Sequence, residues 1–141
     1  MQVNHDPSAG FNGLVGIEYE EATSSRVVVG LDVDERHHQP YGLVHGGIYC
    51  TLVETAASIG AALGAMEKGM TGAVGVSNST DFYRSHRTGR IRATATPVHQ
   101  GRTQQVWVVE VTRVDDDVLL SRGQVRLQNI ADPSVIGGSA G

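Results

Sequence analysis

Glu54 is the residue of this chain whose setting most clearly points to chemistry. It stands in the middle of a small, apolar stretch, residues 42–70, that reads GLVHGGIYCTLVETAASIGAALGAMEKGM, with no lysine or arginine near it in the sequence. An ionised carboxylate in apolar surroundings is costly unless it is hydrogen-bonded or paired. Glu54 is therefore either a structural acid with hydrogen-bond partners or a reactive group, a general base or a nucleophile.

The triplet His45-Gly46-Gly47 lies shortly before Glu54 and offers a second chemical group. At the start of a helix the first backbone N–H groups have no intrahelical partner, and together with the helix dipole they favour negative charge. An oxyanion that develops on a carbonyl group would be stabilised there. A plain glycine turn between a loop and a helix has the same sequence, so the triplet alone does not decide.

The apolar stretch predicts one helix of about 20 residues that starts near Gly46. The residues predicted to face a sheet recur at three- and four-residue steps: Ile48, Leu52, Ala56, Ile59 and Leu63. The other side carries mostly small residues: Gly47, Cys50, Thr51, Glu54, Ala57, Ser58 and Ala61. A helix without an outward polar face is surrounded by protein. We therefore expect a sheet on one side and close approach by another element on the other.

Six segments rich in β-branched residues predict strands. They are 14–21, 25–33, 72–84, 89–99, 104–114 and 118–129. Short connections favour an antiparallel meander, and Pro97 inside its segment indicates an edge or bulge position. Five or six antiparallel strands with one long helix, and no second helix to cover the sheet, predict an α+β hotdog fold in which the sheet wraps around the helix.

The length and composition fit one domain. The chain has 141 residues, of which 40% are hydrophobic, enough for a continuous core. Residues 1–13 and 131–141 are rich in Gly, Ser, Ala and Pro, so we expect flexible ends around a single domain at 14–130. With 11 Lys+Arg, 15 Asp+Glu and a net charge of −4, the chain lacks the basic balance expected of a protein that binds nucleic acid or anionic membranes.

The cysteine and histidine content suggests neither an oxidised compartment nor a metal centre. Cys50 is the only cysteine, and the first residues lack a basic start and an apolar signal core, so the cytoplasm is the expected location. Residues 43–66 come closest to a membrane span, but His45 and Glu54 would be expensive in hydrocarbon. The six histidines form no HExxH or similar motif, so no metal is expected.

The spacing of Gly46 and Glu54 predicts a dimer. Eight residues at the rise of an α-helix place them roughly 12 Å apart along the same helix. An attacking water and an oxyanion donor must meet within roughly 3 Å of one carbonyl carbon. If both residues act on one substrate, Glu54 must come from a second chain whose helix runs antiparallel alongside. We therefore expect a homodimer with two equivalent sites as the smallest active unit.

Residues 12–129 resemble the hotdog-fold acyl-CoA thioesterases, in the branch shared by phenylacetate-pathway and hydroxybenzoyl-type enzymes. The motif that carries the resemblance is QPYGLVHGG at residues 39–47, followed by Glu54 and Ser58. Many such thioesterases assemble as pairs of dimers, so the resemblance implies a homotetramer built as a dimer of dimers. It also implies an acyl-CoA thioester substrate and no cofactor, since coenzyme A is part of the substrate.

The resemblance implies a role for each residue of the motif. Glu54 would be the general base or the nucleophile, and the Gly46 N–H would bind the thioester oxygen. Gln39 and His45 would help to orient the carbonyl or the water. Ser58, one helical turn beyond Glu54, would hydrogen-bond to the carboxylate or to the water. Activation of water by Glu54 and direct attack to give a mixed anhydride both remain open.

A run without acids, from Phe82 to Val109, contains five arginines: Arg84, Arg87, Arg90, Arg92 and Arg102. The arginine fork suits the phosphates of coenzyme A, although a solvated strand face would have the same composition. The resemblance extends over FYRS and HQGR, which makes Arg84 and Arg102 the first candidates for the phosphates. Gly47 and Phe82 complete the predicted substrate-binding set. Some relatives carry a polar residue in place of Phe82, so the acyl group stays open.

Three other functions compete with this interpretation. A hydrolase with Cys50 as nucleophile is disfavoured because a carboxylate one turn away opposes a thiolate. A hydratase or dehydratase of the same fold would usually pair His with Asp or Glu in a different loop motif. A non-catalytic module that binds acyl-CoA would not need an acid at position 54, and hydrolysis of a purified thioester separates it from an enzyme.

Overall fold

In this computed structural model, which describes residues 6, 8–132 and 134, the chain forms two α-helices, a short 3₁₀ turn and six strands. In chain order they are α1 Gly10–Val15, β1 Glu18–Ala22, β2 Val27–Val33, the 3₁₀ turn Glu35–His37, α2 Gly46–Glu67, β3 Gly72–Phe82, β4 Gly89–Gln100, β5 Gln104–Arg113 and β6 Leu119–Ile130. All the strands pair antiparallel in one sheet, in the order β1-β2-β4-β5-β6-β3. The predicted hotdog fold is confirmed.

The sheet wraps around α2. The helix contacts β2, β3, β4, β5 and β6, and a single core joins it to the inward faces of these strands. Trp107 is the largest fully buried side chain of that core. Within the described chain β1 and β3 are the two edges of the sheet, and most side chains of β3 are exposed.

Helix α2 begins where the sequence predicts. His45 is its N-cap: its backbone is extended, and its Nδ1 accepts a hydrogen bond from the Gly47 N–H at 2.8 Å. The helix has 22 residues, close to the predicted length. Of the described helices, α2 alone is long and apolar enough for a membrane span, with a mean hydropathy of 1.4, and half of that window is buried inside the protein.

The buried side of α2 is rotated from the predicted one. It consists of Tyr49, Leu52, Val53, Ala56, Ala57, Gly60, Ala61, Gly64 and Ala65. Ile48 and Ile59 are only partly buried against the core. Ala57 and Ala61 were expected on the opposite side, and that assignment is wrong. The reason is that the sheet encloses two sides of the helix. Small helix residues face the sheet at the points where its bulky core side chains need room.

Gln105 ties the helix to the sheet. It is 1% exposed, and its amide donates to the Ala61 carbonyl at 2.9 Å and to Asn129 Oδ1 at 2.8 Å. Its own Oε1 accepts a hydrogen bond from the Trp107 indole at 2.9 Å. A buried polar group is tolerated when its hydrogen bonds are satisfied. This network therefore holds the middle of α2 against β5 and β6.

Replacing Gly60 by alanine is expected to destabilise the protein, because a Cβ at this position would overlap the Trp107 ring. Overpacking of this kind outweighs the better helix propensity of alanine, so we expect a net loss of about 1–2 kcal/mol in unfolding free energy. Chemical denaturation measures it. In a Trp107→Phe background, whose ring is smaller, the same substitution should cost less. An equal loss in both backgrounds would contradict the contact.

The strand positions match the prediction except near the N-terminus, but the expected meander holds only for β4, β5 and β6. β2 pairs with β4, and β3 lies at the far edge beside β6, so the short link 83–88 is a crossover and not a hairpin. The segment 14–21 was expected to be a strand, but its first residues belong to α1, which ends at Val15 and is capped by Gly16 in a left-handed conformation (φ 89°). Helix α1 begins at Gly10 and so includes the end of the segment 1–13 that was expected to be flexible. The other expected flexible residues fall largely outside the described residues, which exclude 1–5, 7, 133 and 135–141.

Pro97 lies at a bulge, as predicted. The register between β4 and β5 shifts between Pro97 and His99. On the other side of β4, the pairing with β2 ends where Val27 meets Ala95, before the proline is reached. The missing N–H of Pro97 therefore interrupts no hydrogen bond to β2.

Candidate active site

The N-terminus of α2 presents one free backbone donor. The Gly47 N–H bonds to the His45 ring, and the Ile48 N–H donates to the His45 carbonyl at 2.9 Å. In the described chain the Gly46 N–H donates no hydrogen bond. The helix dipole places partial positive charge at the same point. This N–H can therefore bind an electronegative oxygen brought by a ligand.

Aromatic rings pack directly beside that donor. A Cβ on Gly46 would lie 2.5 Å from the Phe82 ring, so any side chain at this position would displace that ring. The Phe82 ring contacts Tyr49 with the ring centres 5.8 Å apart. The Tyr49 hydroxyl donates to the Arg84 carbonyl at 3.1 Å, and burial raises the pKa of Tyr49 to about 12, so the phenol stays neutral. Tyr49 thereby fixes the strand end that carries Phe82 and Arg84.

These groups line an open cleft of about 260 Å³, here called the Gly46 cleft. Its lining includes Gln39, Val44, Gly46, Tyr49, Phe82 and Arg84. The Gln39 Oε1 accepts a hydrogen bond from the Tyr41 N–H. This bond leaves the NH₂ group of Gln39 as a donor with no partner in the described chain. The cleft thus holds a free backbone donor and a free amide donor between aromatic walls.

Glu54 is held by two neutral hydrogen bonds. Ser58 Oγ donates to Oε2 at 3.2 Å, and Asn78 Nδ2 on β3 donates to Oε1 at 3.1 Å. The described chain gives Glu54 no ion pair. Gly75, also on β3, lies so close to the carboxylate that a Cβ there would overlap it. The side chain is therefore oriented from two elements while no cation neutralises its charge.

Glu54 lies in a separate open cavity of about 260 Å³, here called the Glu54 cavity. Its lining consists of Phe11, Cys50, Thr51, Glu54, Thr55 and Asn78. No described residue lines both this cavity and the Gly46 cleft. No described histidine lines it either, so Cys50 has no imidazole base beside it. Within one chain, the Gly46 N–H and the Glu54 carboxylate therefore lie in different cavities.

The predicted site residues do not share one cavity. Gln39, Gly46, Phe82 and Arg84 share the Gly46 cleft, and Ser58 makes the predicted contact with Glu54. His45 and Gly47 line a third cleft, together with Phe11 and Thr51, on another side of the helix start. His45 therefore caps α2 but does not line the cleft that contains Gly46.

Arg102 lies at the far end of α2. Just after the helix, Lys68 Nζ donates to the carbonyls of Gln100 and Gly101, 2.9 and 3.3 Å away, in the hairpin that carries Arg102. A helix of this length spans about 33 Å. Arg84 and Arg102 of the same chain therefore do not form one rim. The sequence could not show this, because it does not reveal that the β3–β4 connection and the β4–β5 hairpin lie at opposite ends of β4.

Two of the other arginines belong to a surface network of ion pairs. Arg90 lies 2.9 Å from a Glu18 oxygen and 3.1 Å from an Asp32 oxygen, and Arg92 lies 2.8 Å from a Glu20 oxygen. The hydrogen bond from Arg92 holds the pKa of Glu20 below its ordinary value. For Arg90 and Arg92 the solvated strand face is therefore the correct interpretation.

Three residues of the site were missed by the sequence analysis. Asn78 binds Glu54, Tyr49 supports the Gly46 cleft, and Phe11 lines the Glu54 cavity. The polar run SNST inside β3 was a signal for Asn78, although its partner is 24 positions away in sequence. Phe11 lies in the segment that was expected to be flexible, so nothing marked it.

Comparisons with known proteins identify the family. The sequence profile of the thioesterase superfamily matches residues 41–120. A protein of Mycobacterium tuberculosis that is named as an esterase, Rv1847, is 42% identical over 121 residues, which cover 85% of this chain and 86% of that protein. Its solved structure matches with a TM-score of 0.83 at 41% identity, over 86% of this chain and 97% of that one.

Two further relatives carry more specific names. The 1,4-dihydroxy-2-naphthoyl-CoA hydrolase of Listeria monocytogenes is 34% identical over 110 residues, covering 78% of this chain and 88% of that protein. A thioesterase structure from Haemophilus influenzae matches with a TM-score of 0.81 at 30% identity, over 89% of this chain and 85% of that one. With fold, sequence profile and relatives in agreement, this chain belongs to the thioesterase superfamily and is a hotdog-fold thioester hydrolase.

Proposed function

We propose that the protein hydrolyses an acyl- or aroyl-CoA thioester to the free acid and coenzyme A, with the Gly46 N–H as oxyanion donor and the partner subunit's Glu54 as base or nucleophile. The observation that carries the proposal is the pairing of two incomplete half-sites. One cavity holds free donors without a reactive carboxylate, and the other holds an oriented carboxylate without donors of that kind.

The Gly46 cleft supplies the electrophilic half. The thioester oxygen accepts the Gly46 N–H, and the NH₂ group of Gln39 supplies a second hydrogen bond. As a nucleophile adds to the carbonyl carbon, charge accumulates on this oxygen. Fixed donors and the helix dipole stabilise that charge more than the neutral ground state, which lowers the barrier.

Glu54 supplies the nucleophilic half by one of two routes. As a base it takes a proton from water, the hydroxide adds to the carbonyl carbon, and the C–S bond breaks as the oxyanion collapses. As a nucleophile it adds directly and expels the thiolate, and water then cleaves the mixed anhydride. In the first route the protonated Glu54 gives that proton to the departing thiolate, which restores the base. In the second route the thiolate takes up a proton that the water releases when it cleaves the anhydride. The hydrogen bonds from Ser58 and Asn78 orient the carboxylate.

The dimer follows from the separation of the half-sites. The exposed edge strand β3 carries Gly75 and Asn78, both beside Glu54. A second chain that approaches along this edge in antiparallel orientation brings its own Gly46 cleft toward Glu54, and two-fold symmetry creates two equal sites. The proposed active unit is this homodimer, with a dimer of dimers as the larger assembly.

The side chains that line the Gly46 cleft suit an aromatic CoA thioester. Arg84 lines the Gly46 cleft and has no ion pair in the described chain, so its guanidinium is free to bind a phosphate of coenzyme A. Tyr49 and Phe82 give the cleft aromatic walls. The name of the Listeria monocytogenes relative, a hydrolase of an aromatic CoA thioester, supports an aroyl group. No resident cofactor enters the proposed reaction.

Thiol release from two thioesters of one acid tests the proposed substrate class. Benzoyl-CoA and the N-acetylcysteamine thioester of benzoate carry the same acyl group, but only the first has the nucleotide phosphates. We expect faster turnover of benzoyl-CoA, with a higher kcat/KM, because Arg84 binds the phosphates. Equal kcat/KM for both would contradict recognition of coenzyme A. Tight binding of benzoyl-CoA without any thiol release would instead indicate a non-catalytic binding module.

A further inference from the structure

Phe11 is an exposed aromatic residue that the proposed reaction does not yet use. It stands on α1 and is 62% exposed, although the ring forms part of the wall of the Glu54 cavity. The other residues around Glu54 in that cavity are small or polar: Cys50, Thr51, Thr55 and Asn78. Phe11 is therefore the one large apolar surface among the described residues that line it.

Helix α1 is fixed in place by side-chain hydrogen bonds. Thr55 Oγ1 on α2 donates to Asn12 Oδ1 at 3.3 Å. At the other end of α1, Arg36 donates to the Leu14 carbonyl at 2.9 Å, and the buried His37 ring lies 2.6 Å from the Val15 carbonyl. These bonds explain how a helix of six residues holds its position. They hold Phe11 over the cavity while the ring stays out of the core.

The position of Glu54 determines what must touch Phe11. A carboxylate that reaches the thioester carbonyl directly or through one water lies within a few ångströms of that carbon. The acyl group is bonded to the same carbon, so it lies beside the wall of the cavity that holds Glu54. Coenzyme A leaves on the other side, toward the cleft with Arg84. Phe11 and Glu54 come from the same chain, so they reach the substrate together.

We propose that Phe11 is a specificity-determining residue whose ring packs against the acyl group and favours an aromatic one. This inference rests on the proposed function, because it takes the Glu54 cavity as the place where the acyl group lies. Aromatic rings pack well on one another in offset or edge-to-face geometry, and apolar contacts of this size discriminate between substrates by about tenfold or more. A small acyl group such as acetyl is too short to fill the contact.

The test compares benzoyl-CoA with acetyl-CoA in three proteins: wild type, Phe11→Ala and Leu14→Ala. Leu14 is the matched control, since it lies on the same helix, is 74% exposed and lines neither the Glu54 cavity nor the cleft of His45. We expect Phe11→Ala to lower the ratio of kcat/KM for benzoyl-CoA over acetyl-CoA by about tenfold. Leu14→Ala should leave this ratio within about twofold of the wild type.

Two results of this kinetic comparison would overturn the proposal. An unchanged ratio in Phe11→Ala would show that the ring does not touch the acyl group. An equal change in Leu14→Ala would show that loosening of α1, not the ring, is responsible. Sedimentation of Phe11→Ala gives a further check, because a variant that dissociates into monomers would place the ring in subunit packing instead. The proposal expects the same assembly as in the wild type.

A binding measurement separates this inference from the catalytic role of Glu54. The thioethers S-benzyl-CoA and S-methyl-CoA have no carbonyl and cannot be hydrolysed. Calorimetry should show that Phe11→Ala weakens S-benzyl-CoA about tenfold relative to S-methyl-CoA, in the wild type and in a Glu54→Gln background alike. If Glu54→Gln were still active, the catalytic assignment would fail while this ratio still reported on Phe11. A wild type without preference for the benzyl compound would overturn the inference.

Discussion

Glu54→Gln is expected to lower kcat for a CoA thioester by about 10²–10⁴-fold, the range that a positioned general base contributes. Glutamine keeps the size of the side chain and can still bond to Ser58 and Asn78, but its amide neither accepts a proton from water nor attacks a carbonyl. The fold should remain intact. Thiol release at saturating substrate measures kcat, and circular dichroism with a melting curve checks the fold.

Glu67→Gln is the matched control for this substitution. Glu67 is the last residue of the same helix, is exposed, and accepts a hydrogen bond from Ser24 Oγ at 2.8 Å. Glu67→Gln removes the same charge from α2, but far from both cavities. Its kcat should therefore stay within about twofold of the wild type. A Glu54→Gln enzyme with wild-type kcat would contradict the role assigned to Glu54.

Gly46→Ala is expected to lower kcat/KM by about 10²–10³-fold, comparable to the loss of one oxyanion donor. The new methyl group would lie 2.5 Å from the Phe82 ring and push that ring into the space where the thioester oxygen should bind. Alanine is compatible with the first turn of a helix, so stability should not fall. Steady-state kinetics with a CoA thioester, beside thermal melting, measures both effects.

The double variant Gly46→Ala with Phe82→Ala shows how the methyl group acts. Because Phe82 is 52% exposed, its removal should leave the fold intact and relieve the overlap. Activity should then recover toward that of Phe82→Ala alone, since the backbone N–H is still present. A Gly46→Ala enzyme as active as the wild type would contradict an oxyanion site at this N–H.

The elements that the sequence predicts well are those set by local patterns. The start of α2 follows from His45 and two glycines, because a cap and a turn need only neighbouring residues. The contact of Ser58 with Glu54 follows from helical spacing of four residues. The six strands follow from β-branched runs between polar turns. The bulge in β4 follows from the proline at position 97, which has no N–H to donate.

The features that the sequence did not reveal depend on distant contacts. The side of α2 that is buried depends on how far the sheet curls around it, which placed Ala57 inside and left Ile59 partly exposed. The bond from Asn78 to Glu54 depends on the path of β3 beside α2. Arg102 lies far from Arg84 because the β4–β5 hairpin and the β3–β4 connection lie at opposite ends of β4, and arginine spacing carries no information about that.

The central claim, that each site combines Gly46 of one chain with Glu54 of another, is tested most directly by mixing two inactive variants. Glu54→Gln and Gly46→Ala chains are unfolded together, refolded in equal amounts, and assayed for thiol release. A mixed dimer then has one site with both mutations and one site with neither.

Random pairing makes half of the dimers mixed, so the account predicts recovery of about a quarter of wild-type activity. Each variant refolded alone should stay inactive, which excludes an effect of the refolding itself. Activity in the mixture no higher than the average of the two variants alone would contradict the account, because it would mean that both residues of a site belong to the same chain.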